Sequence, residues 1–257
     1  QQYGVLLPKL LQTVEQLMTA NVDERKWMVV TMFETDHLRS TLLMQLENWE
    51  QASSFLADRI PYWQQRGGDQ VGIARLQQQL AHSYRRQDRV PEALKQYEAA
   101  IATFANAGAD AQFDCAQALI NMGVLCLSTG AARDAELACM KAAAAIASAP
   151  SSADNPNVAP LVGQLRAQVS RVLGEALAAQ SKWREAEAAL QTALKAQLAV
   201  TGEQHDGTRQ VLQALARTFA AQDKFAEAEA TYKRALPIAR ASFGSDHPGT
   251  EIGRAHV

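Results

Sequence analysis

Three cysteines, Cys115, Cys126 and Cys139, carry the most nucleophilic side chains in the chain. Their number is odd and none belongs to a C-x-x-C pair, which argues against a disulfide framework or a zinc site and favours a reducing compartment. A redox pair of Cys126 and Cys139 is one interpretation, provided that their sulfurs approach each other. Thiols that face a neighbouring helix usually pack as small hydrophobic groups, and we favour that interpretation.

Two histidines, His205 and His247, occupy equivalent places 42 residues apart. A metal site would need both imidazoles and further ligands, but this spacing assigns them to successive structural units. We therefore predict that both histidines shape loops and that the chain holds no metal. The neighbouring Asp246 and Thr250 have side chains suited to capping the start of a helix.

Closely spaced carboxylates occur at Glu185 and Glu187 and again at Glu227 and Glu229. Their alternation with alanine on predicted helices indicates a solvated face rather than an acid–base pair. The chain also lacks the glycine-rich phosphate loops, the H-E-x-x-H zinc motif and the G-x-S-x-G nucleophile turn. We predict no catalytic residues, no cofactor and a protein that is not an enzyme.

The composition favours an all-helical chain. Its 257 residues are 47% hydrophobic, with a net charge of -2 from interspersed acidic and basic residues. This balance gives no electrostatic footprint for nucleic acid or an anionic membrane, and no apolar run is long enough to span a bilayer. Strand-type alternation is missing, while glycine and proline fall mainly between helical patterns.

An internal repeat organises these helices. Segments 181–208 and 223–250 align without a gap, each residue 42 positions from its counterpart. Ala93 and Ala135 are also 42 apart, whereas the step from Ala135 to Ala186 is 51. Each unit predicts two helices joined by a short turn, and one such pair cannot bury its apolar faces alone. Stability must therefore come from stacking on neighbouring units.

The pattern inside each unit resembles the tetratricopeptide repeat: leucine, a small residue and an aromatic in the first helix, then alanine, an aromatic and alanine in the second. Thiols and leucines replace some of the aromatics. The matching residues, unit by unit, are Leu80, Ala81, Tyr84, Ala93, Tyr97 and Ala100; Met122, Gly123, Cys126, Ala135, Cys139 and Ala142; Leu173, Gly174, Leu177, Ala186, Leu190 and Ala193; and Leu215, Ala216, Phe219, Ala228, Tyr232 and Ala235.

The period of 42 and the stretch G-x-D-H-P-x-T resemble the kinesin-light-chain type of this repeat. The resemblance implies a right-handed α-solenoid, a superhelix of stacked antiparallel helix pairs. The predicted division is the second helix of a truncated repeat (1–21), a degenerate repeat 1 (22–69), repeat 2 (74–110), repeat 3 (111–147), an inserted loop (148–159), repeat 4 (160–207), repeat 5 (208–250) and a non-native tail (251–257).

The two ends carry separate expectations. Ile252 to Val257 can be coded by the first bases of a common short-read sequencing adapter, so we expect 251–257 to be an assembly artefact. The chain begins with Gln1 rather than methionine, so a preceding signal peptide stays an open alternative to a cytoplasmic location. Uncapped ends of a stacked array also favour self-association.

The resemblance places a binding groove on the first helices of the repeats. Five arginines against one glutamate, with an apolar patch from repeat 3, favour an extended acidic peptide or a partner domain. An empty groove kept soluble by arginine and glutamine is the alternative. The predicted groove residues are Arg75, Gln78, Gln79, His82, Arg85, Arg86, Gln117, Ile120, Asn121, Val124, Gln168, Arg171, Glu175, Gln210, Gln213 and Arg217.

These features predict a non-catalytic protein–protein interaction scaffold. The competing hypothesis is a regulatory or sensor segment of a larger signalling protein, whose kinase, nucleotide-switch or protease-like domain lies elsewhere, and it rests on family analogy. A self-assembling structural array is the third. We predict a protein or peptide partner, with neither nucleic acid nor a membrane among the partners.

Overall fold

A computed structural model describes residues 22–67, 69–149 and 158–243, with side chains from residue 32 to residue 241. The predictions for 1–21, most of the inserted loop, His247, and 251–257 lie outside the described residues. Every regular element in these ranges is helical. The helices are α1 (Val22–Gln45), α2 (Trp49–Gln65), α3 (Gln70–Arg86), α4 (Val90–Asn106), α5 (Gln112–Ser128), α6 (Ala132–Ser148), α7 (Ala159–Ala179), α8 (Trp183–Thr201), α9 (Asp206–Ala220) and α10 (Phe225–Phe243), with one short 3-10 turn (Ala109–Ala111).

Each first helix turns into its second helix through the same backbone conformation. One residue in every such turn is left-handed, with φ between 54° and 79°. The amide that follows the left-handed residue returns to a carbonyl in the last turn of the helix, as in Lys182 N to Leu177 O at 2.9 Å. Only one of the five turns uses glycine. The left-handed residues are Glu47, Asp88, Gly130, Ser181 and Asp223.

The chain divides into two compact units, the first ending at Thr103 and the second starting at Phe104. In the first unit α2 contacts both α1 and α3, and α1 also contacts α3. The core between these helices is built around the fully buried Leu56, Trp63 and Leu76. Residues 22–69, predicted as a degenerate repeat 1, contain the helices α1 and α2, which contact each other.

A buried ion pair ties α1 to α2. Arg59 Nε donates to Asp36 Oδ2 at 2.6 Å, and Trp63 Nε1 donates to the same oxygen at 2.9 Å. Asp36 is 1% exposed, and its burial raises the pKa of the carboxyl despite the opposing effect of Arg59. Sequence reasoning did not find this pair, because repeat 1 departs from the family pattern.

The second unit contains three helix pairs, α5–α6, α7–α8 and α9–α10. Each second helix contacts the next first helix, since α6 packs on α7 and α8 packs on α9. The first helices also contact one another, α5 with α7 and α7 with α9. The repeat alanines Ala135 and Ala186 are fully buried and Ala228 nearly so, because only a methyl group fits between the paired helices.

A polar contact joins repeat 4 to repeat 5. Gln222 Nε2 and Lys224 Nζ, both in the turn between α9 and α10, donate to Glu187 Oε2 on α8 at 3.0 and 2.7 Å. These two donors hold the pKa of Glu187 below its ordinary value, with Lys224 contributing most. The expectation of a purely solvated face is wrong for Glu187, since its partners lie one repeat further along the chain and only the stacking brings them close.

The same contact joins repeat 3 to repeat 4. Gln180 Nε2 and Lys182 Nζ donate to Glu136 Oε2 at 2.7 and 3.1 Å. The pKa of Glu136 is lowered by Gln180 first and then by Lys182. A carboxylate on one second helix, held by the glutamine and lysine of the following turn, is called the junction clamp below.

Candidate peptide-binding groove

The groove residues of the second unit lie side by side on the first helices. Gln117 on α5 and Gln168 on α7 occupy equivalent repeat positions, and Gln117 Nε2 donates to Gln168 Oε1 at 3.3 Å. Gln117 Nε2 also lies 3.3 Å from Asn121 Oδ1, one turn along α5. Side chains predicted from repeat positions are therefore brought into contact across two repeats.

Charges along this face are partly paired. Arg171 Nη1 donates to Glu175 Oε1 at 2.9 Å, a pair four residues apart on α7. Gln210 donates to Asp206 at 2.7 Å, and Gln213 accepts from Arg209 at 2.8 Å, so both amides are held by their own helix. Gln210 and Gln213 are thus positioned and half-buried, with Nε2 of Gln210 and Oε1 of Gln213 already engaged.

Arg217 on α9 differs from its neighbours. It is exposed, and no described carboxylate lies within ion-pair distance of its guanidinium. Because Arg171 offsets Glu175, the local balance at this end of the groove is one unopposed positive charge. A ligand carboxylate arriving there would gain a charge-assisted hydrogen bond without first displacing an internal partner.

Arg217 borders a cleft of about 390 Å³ between α5, α7, α8 and α9. Most of its wall is apolar, and Trp183, at the first position of α8, is half-buried and forms one side. A cleft of this volume is large enough for one or two side chains. The cleft is lined by Leu127, Glu175, Ala178, Trp183, Ala214, Arg217, Thr218 and Ala221.

The apolar patch expected from repeat 3 is reduced. Ile120 is 1% exposed and cannot contact a ligand, so its assignment to the groove is wrong. Helix α5 packs on both α6 and α7, and this double contact buries a position that the repeat pattern alone places on the open face. Val124 is half-buried, and the larger apolar surface is the cleft, which sequence reasoning missed except for Glu175 and Arg217.

In the first unit, the groove positions lie on α3, which contacts α1. Gln79 Oε1 accepts from Ser40 Oγ at 2.6 Å, and Gln79 Nε2 donates to Thr41 Oγ1 at 3.0 Å. Gln79 thus links two first helices, as Gln117 does in the second unit. Gln78 is half-buried and Arg75 is exposed.

His82 and the two arginines after it form a compact group with Trp49. Arg85 Nη2 lies 3.2 Å from His82 Nδ1, and since arginine can only donate, that nitrogen accepts and the ring is neutral. Burial, helped by Arg85 and Arg86, lowers the pKa of His82 to about 4. Arg86 stacks over Trp49 at 4.9 Å and lies 3.9 Å from Glu47. Arg85 and Arg86 are therefore engaged with other side chains of this group.

The other chemical candidates are structural. Cys115, Cys126 and Cys139 are buried and unbridged, and burial raises the pKa of Cys139 to about 12, which leaves it a protonated thiol at neutral pH. His205 caps α9, its Nδ1 accepting from Gly207 N at 3.0 Å, which confirms its loop-shaping role. Glu185 is exposed on α8.

The described ranges contain neither a candidate metal cluster nor a helix that could span a membrane. Across residues 22–67, 69–149 and 158–243, no three histidine, cysteine, aspartate or glutamate side chains come together as a metal site would require. Among the helices of those same ranges, none combines the length and hydropathy needed to cross a membrane.

Comparisons with known proteins identify the repeat type. Residues 165–241 match the tetratricopeptide repeat family model. No curated protein matches the chain. Similar solved structures include BtubC (BKLC) from P. vanneervenii, at 20% identity over 95% of this chain and 92% of that one, with a TM-score of 0.69.

Two further structures have the same fold. Putative kinesin light chain repeats from P. anserina match at 17% identity over 83% of this chain and 98% of theirs, with a TM-score of 0.61. The quorum sensor NprR from B. thuringiensis, in its apo form, matches at 14% identity over 98% of this chain and 66% of its own, with a TM-score of 0.65. These likenesses confirm the predicted all-α solenoid class.

Proposed function

Because residues 165–241 match the tetratricopeptide repeat family and the chain has the fold of kinesin-light-chain repeats, we propose that it is a non-catalytic interaction module that binds a peptide or partner domain along its first helices. The observation that carries this proposal is the apolar cleft bordered by Arg217, an exposed cation that no described carboxylate pairs. An interaction module needs a concave apolar surface with a few polar groups that fix orientation, and the cleft has both.

The cleft supports a ligand with a particular chemistry. Its walls of leucine, alanine and tryptophan favour an apolar side chain, while Arg217 favours a carboxylate next to that side chain. Glu175 does not oppose this choice, since Arg171 holds it at 2.9 Å. We therefore propose an extended acidic segment that inserts one apolar anchor between α7 and α9.

The amide groups nearby support an extended backbone. Gln117 and Gln168 line the same helix faces, and amides can donate to and accept from a peptide backbone whatever its sequence. In the first unit Arg75 provides an exposed cation on α3. We therefore propose that each unit, by itself, favours an acidic ligand.

Selection of random linear peptides on the full chain tests this proposal. Enriched peptides should share an apolar residue beside aspartate or glutamate. Fluorescence anisotropy of one labelled peptide then compares the chain with the Arg217→Glu variant, which should bind about tenfold or more weakly, because reversing one charge-assisted contact costs about 1.4 kcal/mol or more.

The matched control is Arg240→Glu, which makes the same charge change at an exposed position of α10 outside the cleft. Its affinity should stay within about twofold of the original, as expected for a screened surface charge. Equal affinities of both variants, or enrichment of basic peptides, would contradict the proposal. Arg75→Glu applies the same test to the first unit.

A further inference from the structure

The junction between successive repeats has a second recurring component, an aromatic residue at the first position of the second helix. Trp49 begins α2, where its ring lies 5.5 Å from the His82 ring of α3 and under the guanidinium of Arg86. Trp183 begins α8 and lines the cleft with residues of α9. In both cases the aromatic lies beside the first helix of the following repeat.

The polar component of the junction occurs in the first unit as well. Gln87 Nε2, at the end of α3, donates to the Trp49 carbonyl at 2.8 Å and to Ser53 Oγ at 3.0 Å. Ser53 occupies the repeat position that Glu136 and Glu187 occupy in the second unit. Three junctions therefore combine an acceptor on the second helix with a glutamine in the following turn.

Helix α10 carries both components with nothing packed on them in the described part of the chain. Phe225, at the position of Trp49 and Trp183, is 65% exposed. Glu229, at the position of Glu187, is exposed as well. An exposed phenylalanine beside an exposed carboxylate matches the pair that the junction of α8 with α9 covers, Trp183 and Glu187.

Glu229 has the kind of hydrogen-bond partner that Glu187 would keep if Gln222 and Lys224 were absent, a side chain four residues further along its own helix. On α8, Gln191 donates to Glu187 Oε1 at 3.2 Å, which leaves Oε2 for the following turn. On α10, Lys233 pairs with Glu229 Oε1 at 2.5 Å, and Oε2 accepts from no residue that the structure describes. The Lys233 pair is four residues apart and solvent-exposed, so it stabilises the helix by only a few tenths of a kcal/mol.

We propose that Phe225 and Glu229 form a docking surface for a further helix pair of this repeat type, one whose turn carries Gln-x-Lys. Charge complementarity supports this occupant, because both existing clamps on a glutamate use this glutamine and this lysine. The first helix of the occupant should present small residues to Phe225, as Ala214, Thr218 and Ala221 do beside Trp183. This surface lies outside the cleft, so the inference stands or falls independently of the proposed function.

An extended chain tests the inference. Residues 251–257 are replaced by a second copy of 209–243, which keeps the spacing of 42 from Thr208 to Thr250 and supplies a new Gln-x-Lys turn. Phe225→Cys is introduced into the 257-residue chain and into the extended chain, and its alkylation rate is measured in each. Alkylation should be about tenfold or more slower in the extended chain, because docking covers the thiol.

Three controls make the result specific. Leu137→Cys, on the 50% exposed side chain of α6, should react at equal rates in both chains. Changing the added copies of Gln222 and Lys224 to alanine should restore most of the fast alkylation. In chains that keep Phe225, Glu229→Gln should lower the Tm of the extended chain by about 2–4 °C and that of the 257-residue chain by less than about 1 °C.

Several outcomes would overturn the inference. Equal alkylation in both chains, or protection that survives loss of the added glutamine and lysine, would show that the surface does not select this occupant. The inference would also be overturned if the added copy did not increase the helical circular dichroism signal. Concentration-dependent protection in the 257-residue chain would assign the surface to a second copy of the chain instead.

Discussion

Two glycines at the same repeat position should respond in opposite ways to alanine. A methyl group on Gly174 would lie 2.5 Å from Leu190 Cγ and 2.9 Å from Leu190 Cδ2, closer than carbon atoms approach in real structures. On Gly123 the nearest atom to the same methyl group is Val172 Cγ1, at 3.3 Å. The substitution is chemically identical, so the surrounding packing alone separates the two results.

The expected magnitudes follow from two opposing effects. Alanine in place of a glycine inside a helix stabilises by about 1 kcal/mol. Overpacking a filled core costs about 1–3 kcal/mol, and Leu190 is fully buried, so its Cγ cannot move without displacing α8. Gly174→Ala should therefore lower the free energy of unfolding by up to about 2 kcal/mol, while Gly123→Ala should leave it unchanged or raise it by up to about 1 kcal/mol.

Urea unfolding followed by circular dichroism measures both variants, and hydrogen exchange locates the effect in α7–α8 or α5–α6. Repeat 2 combines alanine and tyrosine at these two positions, as Ala81 and Tyr97, both fully buried. Adding Leu190→Tyr to Gly174→Ala recreates that combination and should recover part of the loss. Equal effects of the two alanine substitutions would refute the reasoning.

Two further predictions concern the turns and the clamps. Glu187→Gln should lower the free energy of unfolding by about 1 kcal/mol at pH 7. Lys224 and Gln222 depress the pKa of Glu187, so this contribution is complete above the ordinary value of 4.5 and is lost as pH falls through the depressed pKa. Urea titrations in which Glu187→Gln costs as much at about pH 3 as at pH 7 would contradict this prediction. Ser181→Gly should raise the free energy of unfolding by up to about 1 kcal/mol, since φ is 60° there. Gly130→Ser, the reverse substitution in the equivalent turn, should lower the free energy of unfolding. A loss of stability in Ser181→Gly would show that the turn is unstrained.

The parts of the fold that follow a strict period were predictable from the sequence. Alanines such as Ala93 and Ala186 recur because a close contact between paired helices recurs, and both are fully buried. The pair of Asp36 and Arg59 was not predictable, since it replaces the repeat pattern with a contact particular to α1 and α2. Periodicity identifies what the repeats share and says little about where one of them differs.

The same limit applies to the candidate site. Gln117 and Gln168 hold equivalent repeat positions, and their side chains are in contact because equivalent residues of stacked helices become neighbours. It misplaced Ile120, because burial on a first helix depends on two neighbouring helices rather than one. It also treated Glu187 as solvated, because a partner 37 residues away becomes visible only when the helices are stacked.

The junction clamp has a consequence for how such a chain can change length. Repeat 4 carries both halves of the contact, the donors Gln180 and Lys182 in its turn and the acceptor Glu187 on its second helix. A gene duplication or deletion of one such unit would leave matching halves at the new boundary. After deletion of repeat 4, for example, Glu136 would meet the turn of repeat 5, where the glutamine and lysine have the same spacing. Growth or shrinkage by whole units would therefore require no compensating substitution at these polar contacts.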